Sequence, residues 1–360
     1  MQIGWVEIED FRNYRTLSYS PAPSLNVLSG ANAQGKTNLL EALAVLLTGR
    51  SFRTTKLAEL PAWGTETTSV HGEIRRTEGS RTLRRTIQRR QDGAWQSVGE
   101  DAEWARVVAF GWQDLEIVNG APQARRNFLD GFALRLYPTH RAALVRYRQV
   151  LARRNFLLQQ RLAEPVLAPR LAPWDEQLVT VGAEVIDRRR RAAAALQTEL
   201  ARIYPALAGA DPELAGGRHK VEIRYRAASG ETGDGEELAR ALAAARRAEM
   251  RRGQTLVGPH RDDLAIELDA RDARAFGSRG QQRLLALALR LAEVLPITDA
   301  VGTVPVLLLD DALSELDPEV RRHALREVES AEQVFLTSPE PLARVDGVHW
   351  IVAQGGIAAA

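Results

Sequence analysis

Gly30-Ala31-Asn32-Ala33-Gln34-Gly35-Lys36-Thr37 has the spacing G-x-x-x-x-G-K-[ST] of a loop that cradles nucleoside triphosphate phosphates. That chemistry needs consecutive backbone N–H groups and a helix N-terminus aimed at one anion. Gly30 and Gly35 provide turns that a Cβ would obstruct. Lys36 offers a mobile charge to the β- and γ-phosphates and Thr37 a hydroxyl to Mg2+, with Ala31, Asn32, Ala33, Gln34 and Asn38 completing the wrap. The other basic residues are almost all arginine, with lysine only at Lys36, Lys56 and Lys220. A lysine here therefore marks a place where a compact ammonium serves better than a planar fork. Ala33 adds a Cβ inside the loop, which is tolerable if its φ is negative.

A second half of the site lies far along the chain. Val304-Pro305-Val306-Leu307-Leu308-Leu309 reads as an apolar strand ending in Asp310-Asp311. In phosphate-loop proteins such a strand lies beside the loop's own strand, and the first carboxylate, Asp310, holds the Mg2+ shell. The 274 positions between Lys36 and Asp310 imply a head built from both ends of the chain, with helical material inserted. Thr337-Ser338, after a strand at Gln333 to Leu336, resembles in position the switch histidine of ABC transporters, which would make a hydroxyl sense the γ-phosphate here. His260, Asp262 and Asp263 look like a metal cluster in isolation. No other histidine lies at ligand spacing, so they read as turn and packing residues; Arg261 fits a phosphate or an interface.

The elements that must position these residues follow from period and punctuation. Ser24 to Ser29 reads as a buried strand, and apolar positions from Leu39 to Leu47 as a helix ending at Gly49. Residues 1–29 read as two strands, with Asn13-Tyr14 and Pro21-Ala22-Pro23 as turns. Val70–Ile74, Thr82–Ile87 and Trp95–Val98 read as strands, the last two joined at Asp92-Gly93. This hairpin carries Arg75, Arg76, Arg84 and Arg85, which could track a phosphate backbone or protect an edge by charge. From Pro122 the pattern is helical: two long amphipathic helices, the first carrying Arg153 and Arg154 as further candidates for a phosphate backbone, broken at Pro165, Pro169 and Pro173. Loop signals that include Gly216-Gly217 surround a strand at Val221–Tyr225, and a helix spans 236–252.

Composition bounds the class. The chain has 360 residues, 45% hydrophobic content and no cysteine, which excludes disulfides and thiolate metal sites. No run of 18 apolar residues predicts a membrane span, and no secretory signal is expected, so a cytoplasmic protein is expected. Net charge is +2, but residues 120–226 hold 19 Lys and Arg against 10 Asp and Glu, and the rest 29 against 36. A basic middle on an acidic frame suits a polyanion at one part only.

Ser278-Arg279-Gly280-Gln281, some 30 residues before Asp310, is similar to the signature motif of ABC-type ATPases, and Ala312 to Asp317 resembles their D-loop. Together with Phe11-Arg12-Asn13-Tyr14, Gly49-Arg50-Ser51-Phe52-Arg53-Thr54, Arg125 to Asp130 and Gly258-Pro259-His260-Arg261-Asp262-Asp263, they make the chain resemble the RecF family of bacterial recombination-repair proteins over almost its whole length. The resemblance implies an α/β fold: an ABC-type ATPase head, a mixed sheet with helices, assembled from N- and C-terminal segments (1–115 and 253–360), plus an inserted mainly helical arm (116–252). It implies ATP and Mg2+ as cofactors, Lys36, Asp310 and Asp311 as catalytic residues, and Ser278, Gly280 and Gln281 contacting the ATP of the other subunit. Asp311 stands where transporters place a glutamate base; one methylene shorter, it predicts slow turnover. Arg279 stands where glutamine or glycine is usual. Gln113 falls near the Q-loop glutamine that touches nucleotide and metal, although the acidic residue usual there is missing. The family implies an ATP-dependent homodimer that clamps DNA at gaps or single-strand/double-strand junctions. With RecO and RecR it helps load RecA in repair, recombination, replication and the SOS response to DNA damage, and a weak DNA-dependent ATPase resets it. The alternative is the ATPase subunit of an ABC transporter or another SMC-like ATPase.

Overall fold

The computed structural model describes all residues except 101, 103, 213, 215–218, 329, 330, 343 and 344; the expected loop signal Gly216-Gly217 lies outside the described residues. The chain opens with β1 (Gln2–Phe11), β2 (Tyr14–Tyr19), β3 (Leu25–Ser29), α1 (Lys36–Thr48), β4 (Thr67–Arg76), β5 (Gly79–Arg89), β6 (Trp95–Gly99) and β7 (Val107–Phe110). It continues through α2 (Leu115–Asn119), α3 (Pro122–Leu136), α4 (His140–Gln159), α5 (Glu164–Ala208), β8 (Val221–Arg226), α6 (Gly235–Arg252), β9 (Asp263–Leu268), β10 (Arg271–Asp272), α7 (Ala273–Phe276) and α8 (Arg279–Leu291). It closes with α9 (Val294–Val301), β11 (Val306–Leu309), α10 (Pro318–Val328), β12 (Val334–Ser338), β13 (Val348–Ala353) and β14 (Gly356–Ala359). The fold is mixed α/β.

The chain divides into two compact units. One holds Met1–Asp114, Ala206–Gly217 and Leu284–Ala360; the other holds Leu115–Pro205 and Arg218–Arg283. Residues 253–283, expected with the C-terminal head, group with the second unit because β9 pairs along its length with β8.

The first unit contains a six-stranded sheet ordered β14-β13-β3-β12-β11-β7 and an antiparallel sheet ordered β2-β1-β4-β5-β6. Helix α1 touches β1, β4 and β5 of the antiparallel sheet and β7 and β12 of the other. Apolar on nearly every face, it buries Leu39, Leu40 and Leu43 through Leu47 in one core with Val6, Ile8, Val70, Ile74, Leu308 and Phe335. Two expectations are corrected here. Residues 1–29 form three strands, because Tyr14 starts β2 directly after a turn at Arg12, where φ is 52°. And β11 does not adjoin the phosphate-loop strand β3: β12 pairs with both and lies between them.

In the second unit α5 runs unbroken through Pro169 and Pro173, where a helix break was expected. Pro165 falls in the first turn, where its missing N–H is no loss. The three prolines are four residues apart, so the missing N–H groups lie along one stripe and the rest of the ladder stays intact. Leu167 and Leu171, fully buried against Leu158, offset the cost of about 3 kcal/mol for each interior proline.

Candidate functional site

The loop from Gly30 to Gly35 joins β3 to α1, as strand–loop–helix spacing requires. Gly30 has φ 151° and a Cβ there would meet the Val352 carbonyl at 2.3 Å; Gly35 has φ 113° and its Cβ would meet Asn13 Nδ2 at 2.5 Å. Ala33 has φ 65°. The negative φ that would make its Cβ tolerable is therefore not met, and that Cβ sits in left-handed backbone. Ala31, Asn32 and Ala33 are exposed. The Lys36 ammonium, largely buried, donates to the carbonyls of Gly30 at 2.5 Å and Ala31 at 2.9 Å. Burial lowers its pKa, while Asp311 and Asp310 oppose the shift. The loop is braced from outside: Tyr14 donates to the Gly35 carbonyl at 3.1 Å, Asn13 to the Gln34 carbonyl at 3.2 Å, and the Gln354 N–H to Gln34 Oε1 at 2.8 Å.

The two distant halves meet. Thr37 Oγ1 lies 2.8 and 2.9 Å from the two Asp310 oxygens. Thr337, on the intervening strand β12, donates to Asp310 Oδ1 at 2.8 Å and accepts the Asp311 N–H at 2.8 Å. This explains how the carboxylate reaches the loop with a strand between: that strand contributes a hydroxyl bridge. Burial raises the Asp310 pKa against the pull of Thr37 and Thr337. Asp311 has φ 51°, a conformation that Asp tolerates better than most residues. A buried carboxylate beside a hydroxyl is a hard oxygen set that fits Mg2+.

Gln113 lies in the turn after β7, its Nε2 3.3 Å from the Arg53 carbonyl. The next residue, Asp114, accepts from Arg290 of α8 at 2.5 Å and from the Gly111 N–H at 2.9 Å. Ser278 caps α8 reciprocally: its Oγ accepts the Gln281 N–H at 3.2 Å and its N–H donates to Gln281 Oε1 at 2.9 Å. Gly280 follows within the first turn, with Arg279 and Gly280 both exposed.

The DNA candidates separate by burial. Arg75 and Arg84 on the hairpin are exposed, and Arg76 packs over Trp104 at 5.0 Å. Arg153 is exposed. Arg85 and Arg154 are corrected: Arg85 is 6% exposed and sits beneath its hairpin, near the Leu46 carbonyl at 3.4 Å. Arg154 is fully buried, donating to Glu249 at 2.6 Å, Asp175 at 2.7 Å and Thr255 at 2.8 Å. Neither guanidinium reaches a surface that DNA could touch.

His260, Asp262 and Asp263 have packing partners. His260 Nδ1 lies 2.6 Å from the Tyr147 hydroxyl and Nε2 3.1 Å from the Thr255 carbonyl. Asp262 accepts from Tyr225 and the Ala228 N–H, and Asp263 meets Arg125 at 2.7 and 2.9 Å. Arg261 is exposed.

Sequence reasoning gave no role to Glu41, Arg12, Arg53 or Ser51, which form one cluster behind the loop. The signal was present: Glu41 is the one charged position from Leu39 to Leu47.

The chain matches the profile of the RecF/RecN/SMC N-terminal domain family over residues 2–343. It is 36% identical to the DNA replication and repair protein RecF of Heliobacterium modesticaldum, covering 98% of both chains, and 38% identical to that of Symbiobacterium thermophilum, covering 94% of this chain and 91% of the relative. The solved structure of a recombination mediator protein RecF with ATP superposes with TM-score 0.85 at 28% identity, covering 100% of this chain and 97% of that one. The Smc head from Pyrococcus furiosus, at 16% identity and TM-score 0.55, shares the fold. These relatives lend nothing to the transporter alternative, and the chain belongs to the RecF family of DNA replication and repair proteins.

Proposed function

We propose that the protein is an ATP-gated DNA clamp of cytoplasmic recombinational repair. Loop residues 30–38 hold the ATP phosphates, with Lys36 as their mobile charge. Thr37 and Asp310 hold Mg2+, which when bound neutralises the phosphates and polarises the γ-phosphoryl group. Asp311 orients the attacking water, Gln113 lies beside nucleotide and metal, and Thr337 ties Asp310 to the Asp311 backbone, so that a change at one carboxylate is felt at the other. Two heads, assembled from the N- and C-terminal segments, close on two ATP molecules, with Ser278, Gly280 and Gln281 of each addressing the ATP of the other. To serve there, Ser278 shares its hydroxyl between the cap and the phosphate. The closed dimer grips gapped or junction DNA through exposed arginines such as Arg75, Arg84 and Arg153, with Arg76 beside them. It acts with RecO and RecR to load RecA, and slow DNA-stimulated hydrolysis releases it.

The observation that carries this reading is the Thr37–Asp310 contact, which joins residues 273 positions apart at the mouth of the phosphate loop. Membership in the RecF family supplies the DNA half. The test is sedimentation and binding to gapped DNA, with and without ATP and Mg2+, for the wild type and Lys36→Arg. ATP-dependent dimers that hold DNA, lost in the variant, support the clamp. An ATP-bound monomer indifferent to DNA refutes it.

A further inference from the structure

Glu41 has no exposed surface, yet it lies one turn beyond the phosphate loop in a helix that, Lys36 apart, is otherwise buried through leucine, valine and alanine. A buried carboxylate is costly unless paired, and an apolar side chain would fill this place at less cost. What Glu41 does is gather cations. Arg12 meets it in a bidentate fork, Nε to Oε2 and Nη2 to Oε1, both at 2.8 Å. Arg53 Nη1 lies 3.1 Å from Oε2, and the Ser51 hydroxyl donates to Oε1 at 2.6 Å.

The cluster is tied to the loop. Arg53 Nη1 also donates to Asn38 Oδ1 at 2.8 Å, Asn38 Nδ2 donates to Asn13 Oδ1 at 2.7 Å, and Asn13 reaches the Gln34 carbonyl. Arg12, Asn13, Asn38 and Arg53 line, together with Trp63, an open cavity of about 510 Å³. That indole is 94% exposed, unusual for a large aromatic side chain. Among the cavity's lining residues only Asn38 belongs to the stretch that wraps the phosphates. The cavity therefore adjoins the phosphate-wrapping stretch at its last residue and opens away from it. Arg12 spends its Nε/Nη2 edge on Glu41 and Arg53 only Nη1, and both side chains line the cavity with exposures of 19% and 30%.

We propose that Glu41 is a positioning residue of the nucleotide site. From inside α1 it fixes Arg12 and Arg53 along the cavity so that their remaining N–H groups meet the nucleoside end of the bound nucleotide. This rests on the ATP reading above. Because the contacts lie beyond the phosphates, ATP and ADP feel them equally.

The test is calorimetric titration of Mg2+-ATP and Mg2+-ADP into the full chain carrying Glu41→Gln, Arg12→Lys, Arg53→Lys or Lys36→Ala. Glu41→Gln is expected to weaken both nucleotides about tenfold and by the same factor, the loss of about one hydrogen bond to a charged group. Arg53→Lys is expected to do the same alone but to add little in the Glu41→Gln background, since both break one arrangement. A lower melting temperature with unchanged affinities makes Glu41 a packing residue only and overturns the proposal. Loss confined to ATP overturns the nucleoside placement. Should Glu41→Gln fail to fold, the two arginine variants decide: unchanged affinity for both nucleotides in each overturns the proposal, and equal losses uphold it. Unchanged affinity in Lys36→Ala would instead sink the ATP reading itself.

Discussion

Arg153 and Arg154 are neighbours on α4, and the structure predicts opposite consequences for their removal. Arg154 donates to Glu249, Asp175 and Thr255, and both Arg154 and Glu249 are without exposed surface. Replacing Arg154 with alanine strands a carboxylate in the interior and removes three hydrogen bonds. Breaking a buried pair from one side costs about 3–5 kcal/mol. At about 2–4 °C per kcal/mol for a domain of this size, the melting temperature falls on the order of 10 °C. Arg153 is exposed, so Arg153→Ala leaves the melting temperature in place. Binding to gapped DNA across a salt series reverses the order. Loss of Arg153 lowers the slope of log K against log salt by about one. Arg154→Ala, measured below its melting temperature, keeps the wild-type slope. A wild-type melting temperature for Arg154→Ala, with a reduced salt slope, would refute the buried ion-pair account and return Arg154 to the DNA surface.

Three further outcomes are expected. Ala33→Gly relieves left-handed strain of about 1–2 kcal/mol and adds about 0.4–1 kcal/mol of unfolded-state entropy; the net gain raises the melting temperature slightly, and a fall would refute the strain. Thr337→Val removes one of the two hydroxyls at Asp310 Oδ1 and the Thr337 acceptor of the Asp311 N–H, at about 1–3 kcal/mol. Single-turnover hydrolysis should then fall more than ATP affinity, and equal losses would count against the bridge. His260 is held neutral, its pKa lowered to about 4 by burial, with Arg261, Arg126 and Arg154 adding to the shift and the Thr255 carbonyl opposing it. A depressed histidine stabilises fully above its ordinary pKa and loses that contribution as pH falls through its folded value. Chemical denaturation should therefore show stability dropping between about pH 6.5 and pH 4 by roughly 3 kcal/mol, a slope reduced in His260→Gln.

The phosphate loop, its helix and the carboxylate strand were legible because each carries a local pattern: glycines at fixed spacing, helical periodicity, an apolar run ending in acid. Strand order was not legible, because β12 lies between β3 and β11 through pairing that no local pattern encodes. Nor was the sign of φ at Ala33, which loop closure sets. The α5 prolines misled because each, taken alone, breaks a helix; only their common stripe and the burial of Leu167 and Leu171 show why the helix continues. Arg85 and Arg154 were read from charge density, which carries no information on which guanidinium faces inward.

Two of the runs that carry the family resemblance, Arg125 to Asp130 and Gly258 to Asp263, form closed ion pairs and hydrogen bonds. Arg125 holds Asp263, and Arg189 joins Asp130 to the Pro259 carbonyl. Burial opposes the Asp130 charge, yet His140 and Arg189 together keep its carboxyl below the ordinary range. Such pairs do little for net stability, but once one is built, removing a single partner is expensive. These contacts hold the second unit together. Glu41 obeys the same electrostatics with a different outcome, and the difference lies in its partners. Arg189 and Arg154 are 5% and 0% exposed, sealed with their carboxylates, whereas Arg12 and Arg53 keep 19% and 30% of their side chains open to a cavity. A buried carboxylate whose guanidinium is also buried specifies a fold. One whose guanidiniums look out beside a phosphate loop prepares a place for a ligand.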